Sequence, residues 1–327
     1  MSPATALPDA GDTGGSLTLV GVDLGGTKCH GVLVGPEGTL LEESYRSTKD
    51  APEAVDVLLR VLDDLRRSAR GAGHSVAGYG IGIPAFVDPD TGLVVGGLNV
   101  GWEGFDLQSR LQAELDAPFA LDNDVNIAAL AESRVGAGRG ATSFVTVAVG
   151  TGLGGAVVLG GQLLRGHHNA AGEIGYLLGS RSQLGRPGLL GMESLVGGLA
   201  IAERSRTLRG LPAGIAPGAA AVFAGAEGGD PAAQELVQEV LEHLAMTVVD
   251  IVAVVDPERI VFDGSIGRAF GPYLPRLHAL VEASVLYVPE LCVSTLRPTA
   301  AIAGAISEAR RVAGLPERSA SRAGGTP

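Results

Sequence analysis

The sequence predicts an α/β protein of two domains built on one repeated plan, and three observations carry that prediction. The first is the stretch Leu17–Val34, LTLVGVDLGGTKCHGVLV, in which two short apolar runs rich in β-branched residues are joined by Asp-Leu-Gly-Gly-Thr-Lys. The second is Phe144–Leu159, FVTVAVGTGLGGAVVL, which repeats the design of apolar strand, glycine turn and apolar strand. The third is the alternation of such strands with amphipathic helices along 327 residues, a length that supports two well-filled cores.

In chain order, residues 1–16 and 315–327 are expected to be loose tails, the first rich in Ala, Gly, Pro and Asp. In the first hairpin Gly25 and Gly26 are expected to adopt torsions that a Cβ would forbid, turning backbone N–H groups into a concavity that fits a phosphate. Asp23 closes the first strand where it can hold Mg²⁺ or its water, and Thr27 and Lys28 offer a hydroxyl and an ammonium to phosphate oxygens. The plainer alternative is a hairpin turn with a solvated lysine. The second copy, with Gly150, Thr151 and Gly152, argues against it. There Gly150, Gly152 and Gly155 nearly spell the dinucleotide fingerprint, but that fingerprint needs a following helix, and the residues from Ala156 to Leu164 read as strand, turn, strand. Two such elbows a domain's length apart suggest two halves facing one nucleotide across a cleft.

Between the elbows, Thr39–Ser47 continues as a third strand. Asp50 and Pro52 open a helix reaching about Arg70, with Val55, Leu58, Leu59, Leu62 and Leu65 on its apolar face and Gly71 ending it. Tyr79–Val87 is a buried strand running into a turn, and Leu107–Leu115 is a short amphipathic helix. Phe119–Asn126 is a strand running straight into a helix over Ile127–Arg134. A carboxylate at that junction is held rigidly beside backbone donors, although Asp122, Asn123 and Asp124 could merely cap the helix. Further helices are expected over Gly191–Leu208, Pro231–Val254 and Thr299–Ala313, and Glu258–Arg268 reads as strand, glycine turn, helix.

Composition narrows the function classes. A content of 46% hydrophobic and 18% charged residues, with 50 glycines, fits a turn-rich soluble enzyme. A net charge of −12 argues against nucleic acid and anionic membrane as partners. No run of about 20 apolar residues is free of glycine turns and charges, and the first 16 residues lack the basic start and apolar centre of a secretion signal. A cytoplasmic location is therefore expected, with Cys29 and Cys292 as reduced core thiols.

Asp23–Lys28, Gly150–Gly155 and the order of elements resemble the superfamily of sugar kinases and actin, most closely its ROK family of bacterial sugar kinases, over nearly the whole chain from Leu17 to Gly314. The resemblance implies two RNase H-like, actin-like ATPase domains with a cleft between them. Residues 17–124 plus 298–314 would form the N-terminal domain and 125–297 the C-terminal one, with the last helix crossing back to the first. It implies ATP and Mg²⁺, with Asp23 on the metal through water, and an adenosine-side loop carrying Gly264 and Gly267. Asp124 of the Asn123-Asp124 pair would be the catalytic base, and Asn99, Asn123, Glu173 and Glu193 the ring that binds sugar hydroxyls.

The chain also departs from the family pattern. Where the family has Gly-Glu-x-Gly-His, the histidine that contacts sugar and binds a structural zinc is replaced by Tyr176. Aligned on Glu193, the zinc cysteines become Leu184, Arg186 and Gly191, a set that cannot build a tetrahedral zinc site. His167 and His168 do not rebuild one without a nearby cysteine. The loop from Gly179 to Glu193 is then expected to be held by packing, with Pro187, Leu189 and Leu190 contributing. Losing the zinc leaves Asp124, Glu173 and Glu193 less compensated, which favours an ammonium-bearing acceptor. The expectation is ATP-dependent phosphorylation of a hexose or amino-hexose at carbon 6, such as kanosamine, with glucose, mannose or N-acylated amino sugars as competitors. The alternative is a catalytically silent sugar-binding regulator of the same family, against which the retained acids and the lack of a helix-turn-helix before Leu17 weigh. The family habit implies a homo-oligomer, a dimer being expected.

Overall fold

The computed structural model describes residues 16–48, 54–88, 91, 93–96, 102, 104–185, 191–207, 218–296 and 299–316. Residues 1–15 and 317–327 of the expected tails, the helix opening at Asp50 and Pro52, Asn99, and the loop residues Arg186, Pro187, Leu189 and Leu190 lie outside the described residues. The first half runs β1 (Leu17–Leu24), β2 (Lys28–Val34), β3 (Leu40–Ser47), α1 (Ala54–Gly71), β4 (Ser75–Ile83), β5 (Phe86–Val87), β6 (Val94–Gly96), α2 (Leu107–Glu114), β7 (Phe119–Asn123) and α3 (Asp124–Val135). The second half runs β8 (Phe144–Val149), β9 (Leu153–Leu159), β10 (Gln162–Leu163), α4 (Glu193–Val196), α5 (Gly198–Thr207), α6 (Ala219–Glu227), α7 (Pro231–Val255), β11 (Arg259–Asp263), α8 (Gly264–Gly267), α9 (Leu274–Glu282), β12 (Glu290–Val293) and α10 (Ala300–Val312).

The repeat read from the two glycine turns is real at the level of topology. One sheet has the order β3-β2-β1-β4-β7 and the other β10-β9-β8-β11-β12. In each, an antiparallel hairpin lies beside two strands added in parallel. Parallel additions need crossovers that cover the sheet faces, and each half accordingly supplies helices. The two-lobed α/β architecture expected of the actin-like fold is present.

Each sheet has its own core. Val20, Val22, Leu24, Leu33, Ile81 and Ile83 pack with Leu58, Val61 and Leu65 of α1 in the first. In the second, Val145, Val147, Val149, Ile260 and Phe262 pack with Leu241, Leu244 and Val248 of α7. On α1 the apolar face differs slightly from the one expected: Val57 and Val61 are buried, whereas Leu59 is only partly so. Cys29 is buried and Cys292 half-buried, and both are free thiols.

Three expected boundaries are corrected. α3 begins at Asp124 rather than Ile127, because Asn123 caps it, accepting from the amides of Val125 at 3.0 Å and Asn126 at 3.3 Å. The single helix expected from Gly191 is two, α4 and α5, broken at Gly197, whose ψ of 147° is extended. The last helix starts at Ala300, with Thr299 as its cap accepting from the Ile302 amide at 3.1 Å. α10 packs on β1, β4 and α3, so the last described helix lies against the first sheet.

Candidate active site

The first elbow links β1 to β2, with the Gly25 amide donating to Lys28 O at 2.8 Å. Thr48, the residue after β3, braces it: its amide donates to Thr27 O at 3.1 Å and its hydroxyl to Gly25 O at 3.3 Å. The expectation about glycine torsions is corrected here. None of Gly25, Gly26, Gly150 or Gly152 adopts a left-handed φ. What the missing Cβ atoms provide at Gly25, Gly26 and Gly150 is bare backbone, a surface that phosphate oxygens can approach.

The second elbow links β8 to β9, with the Gly150 amide donating to Gly152 O at 3.1 Å. Its outer carbonyls are held by the first amides of α5: Gly198 N donates to Gly150 O and Leu199 N to Thr151 O, both at 3.0 Å. Glu193 supports it from behind. Its Oε2 accepts from the Leu153 amide at 2.9 Å, and a Cβ on Gly152 would overlap that carboxylate. The elbows meet: a Cβ placed on Gly26 would sit 4.0 Å from Thr151 Cγ2.

A third loop closes on the same place. At the end of β11, Gly264 has φ +83°, where a Cβ would both be strained and overlap Val149 O. That glycine therefore lets the β11 turn lie on the second elbow, and Gly267 lies behind it beside Phe262 and Val149. Asp263, the residue before Gly264, is held by Arg268, whose Nε and Nη2 reach its Oδ1 at 2.9 and 2.8 Å. Sequence reasoning chose the two glycines and passed over this carboxylate. Its signal was available, because Asp263 ends a strand at a glycine turn just as Asp23 does.

The carboxylates gather at this junction. Burial pushes Asp23 from the ordinary 3.8 up to about 6; the Lys28 ammonium opposes that shift and the Asp263 charge adds to it. Asp124, the first residue of α3, is held well above the usual carboxylate range by burial first and then by the charge of Asp23. Its hydrogen bond from the Val125 amide, at 2.9 Å, works against this, and Glu173 adds to it. Glu173 precedes a short 3₁₀ turn and is pushed by burial, then by Glu193, to about 7. Burial also raises Glu193, with the Leu153 amide opposing. The Tyr176 phenol is more than half exposed and is raised by burial, Glu173 and Glu193 in that order. Asp23, Asn123, Asp124, Glu173, Tyr176, Glu193, both elbows and Gly264 thus form one neighbourhood. Lys28 is exposed at its edge.

The arrangement offers bare amides for phosphate, hard oxygen donors for a divalent cation and a proton-accepting carboxylate on a helix N-terminus. Surface hollows of about 340 Å³ against α1 and α2 and about 590 Å³ beside β7 contain none of these residues. Among the described residues no helix is long and apolar enough to cross a membrane.

Comparison with known proteins agrees with this geometry. The family model described as ROK family matches residues 19–310. A glucokinase of Halalkalibacterium halodurans is 30% identical over 284 residues, covering 82% of this chain and 86% of that protein. A beta-glucoside kinase of Listeria innocua is 29% identical over 251 residues, covering 76% of this chain and 83% of that protein. Among solved structures, a ROK family glucokinase from Streptomyces griseus in complex with glucose and AMPPNP superposes with a TM-score of 0.76 at 25% identity, covering 90% of this chain and 99% of that one. With that match running almost from the first strand to the last helix, the chain belongs to the ROK family.

Proposed function

We propose that this chain is an ATP-dependent sugar kinase that transfers the γ-phosphoryl group of ATP to a hydroxyl of a hexose or amino-hexose, at carbon 6. The observation that carries the reading is the position of Asp124: a half-buried carboxylate of raised proton affinity, within electrostatic reach of both Asp23 at the first elbow and Glu173. The relatives named as glucokinases and sugar kinases support the same class of reaction.

Phosphoryl transfer asks the protein for alignment, charge neutralisation and a proton acceptor. In this reading the amides of Gly25–Lys28 and Gly150–Gly152, with the hydroxyls of Thr27 and Thr151 and the Lys28 ammonium, hold the phosphates. Gly264 and Gly267 lie against the nucleoside. Asp124 takes the proton of the acceptor hydroxyl as its oxygen attacks the γ-phosphorus. The bond from that phosphorus to the bridging oxygen breaks, and ADP leaves with the electron pair. Asn99, Asn123, Glu173, Tyr176 and Glu193 orient the sugar, although Glu193 already commits one oxygen to the Leu153 amide.

Mg²⁺ would fit beside Asp23, whose hard carboxylate carries a raised proton affinity that a nearby cation would relieve, and Asp263, though held by Arg268, would add negative charge on the same side. Asp23 would hold it through water, and the ion would neutralise phosphate charge when bound.

The acceptor is argued from charge. Asp124, Glu173 and Glu193 belong to one side of the site, and Tyr176, Leu184, Arg186 and Gly191 stand where the family resemblance puts zinc ligands, so an acceptor carrying an ammonium gains an attraction a neutral sugar lacks. An amino-hexose is the preferred acceptor in this reading, with glucose, mannose and N-acylated amino sugars as competitors.

A coupled ADP-release assay over a panel of sugars tests both levels. ATP should be consumed only when a sugar is present, and amino sugars should give the highest kcat/KM. Asp124→Asn should lower kcat by about 10²–10⁴, the usual range for a general base, while ADP binding by calorimetry is unchanged. Turnover surviving in that variant removes Asp124 from the base role. Sugar binding without any turnover in the natural protein would favour the silent regulator.

A further inference from the structure

Arg165 joins the two halves at a point the proposed chemistry leaves unused. Residues 164–172 run from β10 to Glu173 as a loop closed at its neck, where the Ala171 amide donates to Arg165 O at 3.0 Å. From that neck Arg165 reaches the first sheet, its Nη2 pairing with Asp122 Oδ2 at 2.7 Å. Its Nη1 donates to Asn169 Oδ1 at 3.2 Å. Asn169 sits at φ +59°, a left-handed conformation that asparagine tolerates better than most residues, and donates its own Nδ2 to Val87 O at 3.3 Å. One guanidinium therefore organises two crossings, one onto β7 and one onto β5.

Asp122 is the informative partner. It is 7% exposed, and its other oxygen accepts from the Asn123 amide at 2.8 Å and from Asn126 Nδ2 at 3.1 Å, so it is built into the β7–α3 junction that carries Asp124. A carboxylate buried to that degree is costly without a cation, and Arg165 is the cation it pairs with. The guanidinium itself is about half exposed, so the pair grips through Asp122's side rather than as a sealed core bridge. A lysine could supply the charge but not the fork that spans Asp122 and Asn169 together.

We propose that Arg165 is a positioning residue: through Asp122, and with Asn169 on Val87, it fixes the segment that delivers Glu173 against the strand end that delivers Asp124. The consequence for acceptor binding rests on the kinase reading given above. The consequence for the two segments does not.

The test uses the full chain with Arg165→Gln, Arg165→Lys and Asn169→Ala, together with hydrogen exchange of the ligand-free protein. Arg165→Gln and Arg165→Lys should raise the acceptor KM by at least about tenfold with the ATP KM unchanged, and Arg165→Gln, which leaves Asp122 without its cation, should also lower the melting midpoint, whereas Arg165→Lys, which keeps the charge, should lower it less. Exchange should rise together at the amides of residues 166–172 and 123–126. If Asp122→Asn folds, adding it to Arg165→Gln should change the acceptor KM by less than about twofold, because the two side chains act as one contact. Equal rises in the ATP and acceptor KM values, or unchanged acceptor KM with unchanged exchange, would overturn the positioning role. If the natural protein turns over no sugar while both segments still lose protection together in Arg165→Gln, the kinase reading fails and the clasp stands. If sugar turnover is present and Arg165→Gln alters neither kinetics nor exchange, the clasp fails and the kinase reading stands.

Discussion

At the residue scale the site is a problem of proton affinity. Asp124, Asp23 and Glu173 are all displaced upward, burial leading each time, and the charges of Asp23 and Glu173 are both felt at Asp124. Asp23 was legible in the sequence as a carboxylate at a strand end beside a glycine turn, whereas Asp124 and Glu173 were singled out through the family resemblance, Asp124 also standing where a strand runs into a helix. Their mutual charge was not legible, since it depends on how two distant segments approach. The same holds for Glu193, expected on the sugar and found holding the Leu153 amide, and for Asp263, whose field reaches Asp23. A base must be deprotonated to act, so kcat/KM should fall as pH drops through the raised pKa of Asp124, at a pH above the usual carboxylate range. Glu173 contributes to that elevation, so Glu173→Gln should move the acid limb of the kcat/KM profile to lower pH, whatever it does to the plateau. Profiles with coincident midpoints would mean that Glu173 does not act on the base.

At the scale of elements, the strand β4 explains how the site is framed. Its glycines alternate, Gly78, Gly80 and Gly82, leaving one face without side chains. α10 lies directly on that face: a Cβ on Gly80 would overlap Ala305 O, and one on Gly78 would press on Ala309 O. A Cβ on Gly82 would come within 3.3 Å of Asp124 Cα, so the same bare face lets the helix bearing Asp124 approach the sheet. Gly304 of α10 repeats the device against Ile127 O. The strand and both helices were legible from pattern, but the reason for Gly78 and Gly80 was not, because the backbone that fills their place belongs to Ala309 and Ala305, far along the chain. The start of α3 was missed for a related cause: apolar periodicity begins at Ile127, whereas the cap that sets the boundary is Asn123. Gly80→Ala should cost about 1–3 kcal/mol or more, the range for forcing volume into a filled site, and should shift Asp124 with it. Urea unfolding would read the first effect and kcat the second. A variant as stable as the natural chain would mean that α10 can move away from β4 freely.

At the scale of the whole molecule, two sheets of matching order bring acidic strand ends and turns to one meeting place in a chain already carrying a net charge of −12. That concentration has a sign that can be worked out. Asp23 moves from 3.8 to about 6 and Glu173 from 4.5 to about 7 on folding, so between roughly pH 4 and 7 the folded chain holds protons that the unfolded chain has released. Stability from this source is present at the acid end of the window and is lost as pH rises through it, the opposite of a carboxylate stabilised by a salt bridge. The growing negative charge of the whole surface pushes the same way, so a single melting curve against pH cannot separate the two. Glu173→Gln can. It removes one of the protons taken up on folding while changing the surface charge by only one unit, so the ligand-free melting midpoint should decline less steeply between pH 4.5 and 7 than in the natural protein. Above that window the variant should be the more stable of the two, because it no longer confines an ionised Glu173 beside Glu193. Equal slopes for the two proteins would assign the pH dependence to the surface and leave Glu173 without the buried, acid-crowded surroundings on which its part in the site depends.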